Sequence, residues 1–143
     1  MAVIDAGVGT DAHLQGAHDV VVAYHRSIDV GRATDGLELF TDDAVFQVKG
    51  TELIGREAIG RFLTDREAQT DRHTVHVIAN PVVTRAGKDE VEISALVLLQ
   101  VRQPGGHYVT ERVLDTVHEV TRRSAGWKIR RRLSRPLHSA VPQ

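Results

Sequence analysis

The chain contains no cysteine. Disulfides, thiolate nucleophiles and Cys-ligated zinc or iron–sulfur centres are therefore excluded, although the absence says nothing firm about compartment. No apolar stretch approaches the roughly 18 residues of a membrane-spanning helix. The segment from Met1 to Gln15 lacks the basic and long apolar regions of a secretory signal, so a cytoplasmic protein is expected. There is no Gly-rich phosphate loop and no Gly-x-Ser-x-Gly elbow. With a formal net charge of −1, overall charge favours neither a nucleic acid nor a membrane as partner.

What is there suits one soluble globular domain. The 143 residues are 41% hydrophobic and 26% charged, enough to bury most of the unfolded surface around a single core. The domain is expected to span 11–135, with 1–10 and 136–143 as loose ends. Charge is unevenly spread. Asp5, Asp11, Asp19, Asp29, Asp35, Glu38, Asp42 and Asp43 face only Arg26 and Arg32 in the first part of the chain. Near the other end Arg122, Arg123, Lys128, Arg130, Arg131, Arg132 and Arg135 have no acid among them.

Leu14, Ala17, Val21, Tyr24 and Ile28 recur at helical spacing, which predicts an amphipathic helix from about Asp11 to Val30 with Tyr24 on its buried face. Gly31 is placed to end it. Ala33, Leu37 and Phe40 predict a short second helix, Ala44–Lys49 a strand, and Gly50 a turn. Gly55 opens a third helix with Ala58, Ile59, Phe62 and Leu63 inward. After Arg72 the period changes to two. Residues 73–84, 90–102, 107–121 and 127–135 read as long strands, and Gly at each connection makes them hairpins of a mainly antiparallel sheet. Pro81 predicts a bulge or bend. Helices first and strands after give an α+β fold: a cone of three helices on a curved sheet, with a mostly apolar pocket between them.

Four residues are candidates for chemistry in that pocket: Tyr24, Asp29, His76 and Asp115. His76 is a candidate base or acid, because imidazole titrates near neutral pH; a strand histidine bonded to a neighbour is the plainer alternative. Asp29 lies five residues and about 140° round the helix from Tyr24, so the two share a pocket only if the helix unwinds near Asp29. Asp115 shares a face with Val113 and Val117. It is either a half-buried acid able to donate to an oxyanion or an outward residue paired with an arginine. Phe40, Phe46, Phe62 and Ile78 are candidate lining residues. Asn80, Trp127 and Arg132 complete that set. His73 and His76 fall on opposite faces of one strand and cannot chelate a metal together; no metal and no cofactor are expected. The basic strand alternates Trp127, Ile129, Arg131 and Leu133 against Lys128, Arg130 and Arg132. It reads as a solvated face balancing the acidic N-terminal part, from which one arginine could hold an acidic substrate group. No aromatic platform for nucleic acid accompanies it.

Phe40-Thr41-Asp42-Asp43-Ala44, Gly55-Arg56-Glu57-Ala58-Ile59, His76-x-x-x-Asn80-Pro81 and Gly126-Trp127-Lys128-Ile129 with Arg132 together resemble the nuclear transport factor 2-like superfamily. Within it they resemble the SnoaL-like group, over Tyr24 to Arg135. The resemblance implies a cone-shaped α+β barrel that pairs through its sheet as a homodimer. It leaves function open among dehydratases, isomerases, cyclases, hydrolases and non-enzymes. Tyr24 matches the oxyanion-donating tyrosine of ketosteroid isomerases, and Asp115 falls near their buried aspartic acid. Val48 stands where their general base should be, which argues against that activity. Tyr24, Asp29 and His76 resemble the trio of scytalone and bile-acid dehydratases. The second histidine of scytalone dehydratase has no counterpart around Leu99, Gln100 and Val101. The resemblance thus implies a cofactor-independent lyase or isomerase acting on a small, largely apolar carbonyl compound. The alternative is a non-catalytic ligand-binding or dimerisation module.

Overall fold

The computed structural model describes residues 11–138, and the expected loose end at 1–10 lies outside them, as do 139–143. Helix α1 spans Asp11–Asp29, followed by a 3₁₀ helix at Ala33–Leu39. Strands β1 (Phe40–Val48) and β2 (Thr51–Ile54) precede helix α2 (Gly55–Glu67). Four longer strands follow: β3 (Thr74–Ala86), β4 (Glu90–Arg102), β5 (Tyr108–Arg123) and β6 (Gly126–Pro136). The six form one sheet in the order β2-β1-β6-β5-β4-β3. Every neighbouring pair is antiparallel except β1 with β6. This is the three-helix, curved-sheet α+β cone expected from the sequence.

Two local expectations are corrected. The first strand begins at Phe40 rather than Ala44, because Phe40 already pairs with Ile129 of β6. Thr51–Ile54 is a strand too; Lys49 (φ 51°) and Gly50 (φ 76°) make the left-handed turn that folds it back onto β1. The C-terminal end is tied down further than expected. Pro136 still pairs with Leu114, and the Leu137 amide donates to the Val113 carbonyl.

Bulges decide which residues face inward. The register of β3 on β4 slips between Ala79 and Val82, at Asn80-Pro81, where the missing Pro amide would otherwise break the ladder. On β6 the register slips between Ile129 and Arg131. Ile129 and Arg132 therefore both point inward, and Arg131 and Leu133 outward, so the strict alternation expected for this strand fails at Arg130. Its outward basic residues pair with acids of β4 and β5 rather than chiefly with the N-terminal part: Arg130 with Glu119 at 3.2 Å and Arg135 with Asp115 at 3.3 Å.

Two core clusters fill the space between helices and sheet. One joins Ala17 and Val21 of α1 to Val91, Ile93 and Val120. Gly16 lets Trp127 lie against α1 there: a Cβ on Gly16 would come within 2.8 Å of the indole nitrogen. The other joins Tyr24 and Ile28 to Phe40, Phe46, Ile59, Leu63 and Ile129.

Candidate functional site

The C-terminal end of α1 carries the polar side chains of the interior. Val21, His25 and Asp29 are spaced four apart, so they stack as one stripe of the helix. Strand β3 starts beside this stripe. The His76 ring nitrogen Nδ1 lies 2.6 Å from Asp29 Oδ1, and the His76 backbone amide donates to Asp29 Oδ2 at 2.8 Å. Thr74 Oγ1, two residues back on the same face, donates to Asp29 Oδ1 at 2.9 Å. Arg66 of α2 in turn donates to Thr74 Oγ1 at 3.2 Å. An ionised carboxylate only accepts, so the short Asp29 bond assigns a proton to His76 Nδ1, and in the neutral imidazole this leaves Nε2 with the lone pair a base requires. The His76 and Asp29 side chains are 11% and 16% exposed, sheltered but not sealed from solvent. Helix α1 holds its conformation through Asp29, so the unwinding set as the condition for Tyr24 and Asp29 to share a pocket does not occur. Asp29 meets the site by stacking with His25.

Next to this pair is a ring cluster that uses all three Phe of the chain and one of its two Tyr. Tyr24 packs edge-on to Phe40 and Phe46 with centroids 5.3 and 5.9 Å apart, and Phe46 meets Phe62 at 5.1 Å. Into this cluster β6 delivers Arg132, whose guanidinium carbon lies 5.3 Å from the Tyr24 ring and 5.0 Å from that of Phe46. Burial raises the Tyr24 hydroxyl above its ordinary pKa, opposed by Arg132 and Arg66 and reinforced by Asp29. Tyr24 thus stays a protonated donor, and among the described residues its hydroxyl makes no hydrogen bond.

Two histidines that the sequence reading passed over belong to the same cluster. The His25 ring is 5.2 Å from His76 and 5.5 Å from His118. Its Nδ1–H donates to the Val21 carbonyl at 2.8 Å, and its Nε2 faces Arg132 Nη2 at 3.5 Å. Burial, then the positive Arg132, holds His25 and His118 well below the usual imidazole pKa, so both are neutral. The signals were present in the chain. His25 stands one turn before Asp29, and His118 continues the Leu114-x-Thr116-x-His118-x-Val120 phase of β5.

Four candidates lie elsewhere. Asp115 is on the opposite phase of β5, outward, and bonds Arg135 at 3.3 Å. Of its two readings the arginine-paired one holds, and it is no oxyanion donor. Asn80 is exposed, with φ 51° in the β3 bulge, because the bulge rotates it out of the inner face. Trp127 packs in the other core cluster against His13, at 4.8 Å, drawn there by the gap over Gly16. Ile78 follows His76 on the inner face of β3 and packs toward that same cluster. A groove of about 340 Å³ between the 3₁₀ helix and α2 is lined by Thr34, Leu37, Gly60, Arg61, Leu63, Thr64 and Asp65; none of the residues around His76 borders it. Among the described residues no group of His, Asp and Glu has the arrangement of a metal site.

Known proteins give the same architecture. The model of the SnoaL-like domain matches residues 15–133. A candidate aromatic ring hydroxylase from Novosphingobium aromaticivorans is 29% identical, with a TM-score of 0.74 over 87% of this chain and 89% of its own. An NTF2-like protein with a cystatin-like fold from the same organism is 22% identical, with a TM-score of 0.77 over 89% of this chain and 83% of its own. A Catenulispora acidiphila protein in complex with S-DNPA is 19% identical, with a TM-score of 0.75 over 87% of this chain and 93% of its own. No curated protein matches the chain. With the family match running from the first turns of α1 into β6, the chain belongs to the SnoaL-like domain family.

Proposed function

We propose that the protein is a cofactor-independent lyase or isomerase of dehydratase type. The observation that carries this reading is the 2.6 Å bond between Asp29 and His76. His76 Nε2 removes a proton alpha to a carbonyl, while Asp29 orients the ring and stabilises the imidazolium that forms. Tyr24, held protonated, donates to the developing enolate oxygen. A donor of this kind in a dry site commonly supplies about 3–4 kcal/mol. Loss of hydroxide from the neighbouring carbon completes a dehydration; return of the proton elsewhere completes an isomerisation. The S-DNPA complex of the C. acidiphila protein supports a small-molecule site in this fold.

The test is proton-to-deuterium exchange, followed by NMR in D₂O, on a panel of β-hydroxy ketones, enones and cyclic ketones. Exchange is expected for at least one, with His76→Ala slowing it by at least ~100-fold. Exchange at an unchanged rate in His76→Ala removes His76 from the chemistry.

A non-catalytic ligand-binding or dimerisation module is the second reading, and one observation favours it. Val77, Leu98 and Val113 lie side by side across β3, β4 and β5, and Val75, Val77 and Val113 are exposed on the outer face of the sheet. Such a patch suits homodimerisation of a cytoplasmic protein under either reading. In light scattering, Val77→Lys is expected to convert a dimer to a monomer; a wild-type monomer would dismiss the dimer.

A further inference from the structure

The interior holds polar groups that the Asp29–His76 chemistry does not use. His118 is completely buried, and neither of its ring nitrogens has a hydrogen-bond partner. Arg132 pairs with it across the β5–β6 ladder, is 5% exposed, and its Nε likewise has no partner. Among the described residues Arg132 makes no salt bridge. Its positive charge is met only by the faces of Tyr24 and Phe46 and by the His25 nitrogen at 3.5 Å.

A guanidinium has donors and no acceptor, and a neutral imidazole adds one N–H. Side by side, the two residues offer unmet hydrogen-bond donors beside an uncompensated positive charge. An uncompensated buried charge is strongly destabilising, and an unmet buried donor adds its own desolvation cost. Hydrophobic residues of similar size would fill this space at lower cost. Arg132 thus has the properties of half of an ion pair.

We propose that Arg132 and His118 form an anion-receiving pole of the interior, and that the substrate carries a carboxylate or other ionised oxygen which this pole binds. The inference rests on the lyase or isomerase reading and narrows it. The preferred compound has a compact apolar skeleton, suited to Phe40, Phe46 and Tyr24, with an anionic group at one end. The His25 ring touches both His76 and His118. The anion-receiving pole and the His76 base thus border the same His25 ring. Arg132 fixes the substrate, and His76 removes the proton.

The experiment titrates the protein with benzoate, cinnamate and 4-hydroxybenzoate and with the matching neutral amides. Calorimetry reads affinity, and the ring ¹⁵N shifts of His118 report occupancy. At least one carboxylate is expected to bind about tenfold or more tightly than its amide and to shift His118. Arg132→Gln is expected to abolish that preference while the melting temperature stays level or rises, because an unpaired buried charge is removed. Should Arg132→Gln fail to fold, His118→Leu serves as the second variant, with the preference again lost. No preference for any carboxylate, or a preference that survives both variants, overturns the pole and leaves internal water as the partner of these atoms. The two readings separate cleanly. Exchange that needs His76, with no carboxylate preference, keeps the lyase reading and removes the pole. Carboxylate binding through Arg132 with no exchange on any acid or ketone keeps the pole and removes the lyase reading.

Discussion

The two halves of α1 face the same sheet and meet it in opposite ways. The first half presents Ala17 and Val21 to Val91, Ile93 and Val120, with Trp127 closing the gap over Gly16. That contact is apolar and close-packed. The second half presents Tyr24, His25 and Asp29 to His76, His118 and Arg132. Here the contact is polar, and among the described residues it holds every buried side-chain nitrogen without a partner. A single helix thus joins a region that contributes stability to one that consumes it, as active sites commonly do. Position along the helix decides the outcome: the strands lie across it so that β3 brings Thr74 and His76 to its last turn and leaves Ile78 and Val83 to the apolar half.

The largest effect should come from breaking the apolar half. Ile93 is 2% exposed, and Ile93→Ala is expected to cost about 2–5 kcal/mol of unfolding free energy. Deuterium exchange per folded molecule should be unchanged. Urea denaturation gives the first quantity and the NMR assay the second. A large loss of rate in protein that is still folded would mean that the two halves are coupled, and the contrast between them would fail.

The sequence made the frame of this contrast legible and obscured its filling. The spacing of Leu14, Ala17, Val21, Tyr24 and Ile28 fixes the buried face of α1, and the strand periods and turn glycines fix the long hairpins. Asp29 and His76 could be paired through the resemblance alone, since nothing in spacing brings residues 47 positions apart together. On β5 the choice between Asp115 and His118 turns on which phase faces inward. Both phases carry apolar residues, because the outer face around Val113 and Val117 is apolar as well, so alternation could not decide it. Arg132 is a lining candidate, yet alternation alone sets it on the face opposite Ile129, because a bulge at Arg130 has no signature in a run of arginines. Asn80 was misplaced for the same reason, although Pro81 announced its bulge. Trp127 is a lining candidate from the sequence, whereas the missing side chain of Gly16 determines where it packs.

A smaller effect should sharpen the polar half. Thr74 contacts no candidate substrate group; it acts on Asp29 through one hydrogen bond and is itself held by Arg66. Thr74→Val keeps the shape and removes the hydroxyl. We expect kcat to fall about tenfold, corresponding to about 1.4 kcal/mol and one lost bond to a charged group, while KM holds. Thr74→Ser should restore most of the rate. A purely structural role would lower the melting temperature and leave kcat of the folded enzyme untouched, which steady-state kinetics on the substrate found by exchange would reveal.

The last expected effect is a gradual one and the most specific to the polar half. His25 and His118 are neutral in the folded protein because burial and Arg132 disfavour their charged forms, with His118 and His76 adding to this for His25. In the unfolded chain both titrate near pH ~6.5. Below that value the unfolded state binds more protons than the folded one, so stability is full above about pH 6.5 and is lost as pH falls toward the depressed folded values. Each such histidine can contribute at most about 1.4 kcal/mol per pH unit. Urea midpoints measured from pH 8 to pH 5 should therefore decline, and His118→Leu should make the decline shallower by removing one of the two titrating groups. Ile93→Ala should lower the whole curve without changing its slope, since no titrating group is altered. A slope that is unchanged in His118→Leu would mean that His118 takes up a proton in the folded state as readily as in the unfolded one. That in turn would require a partner for its ring nitrogens, and the polar half would then be as complete as the apolar one.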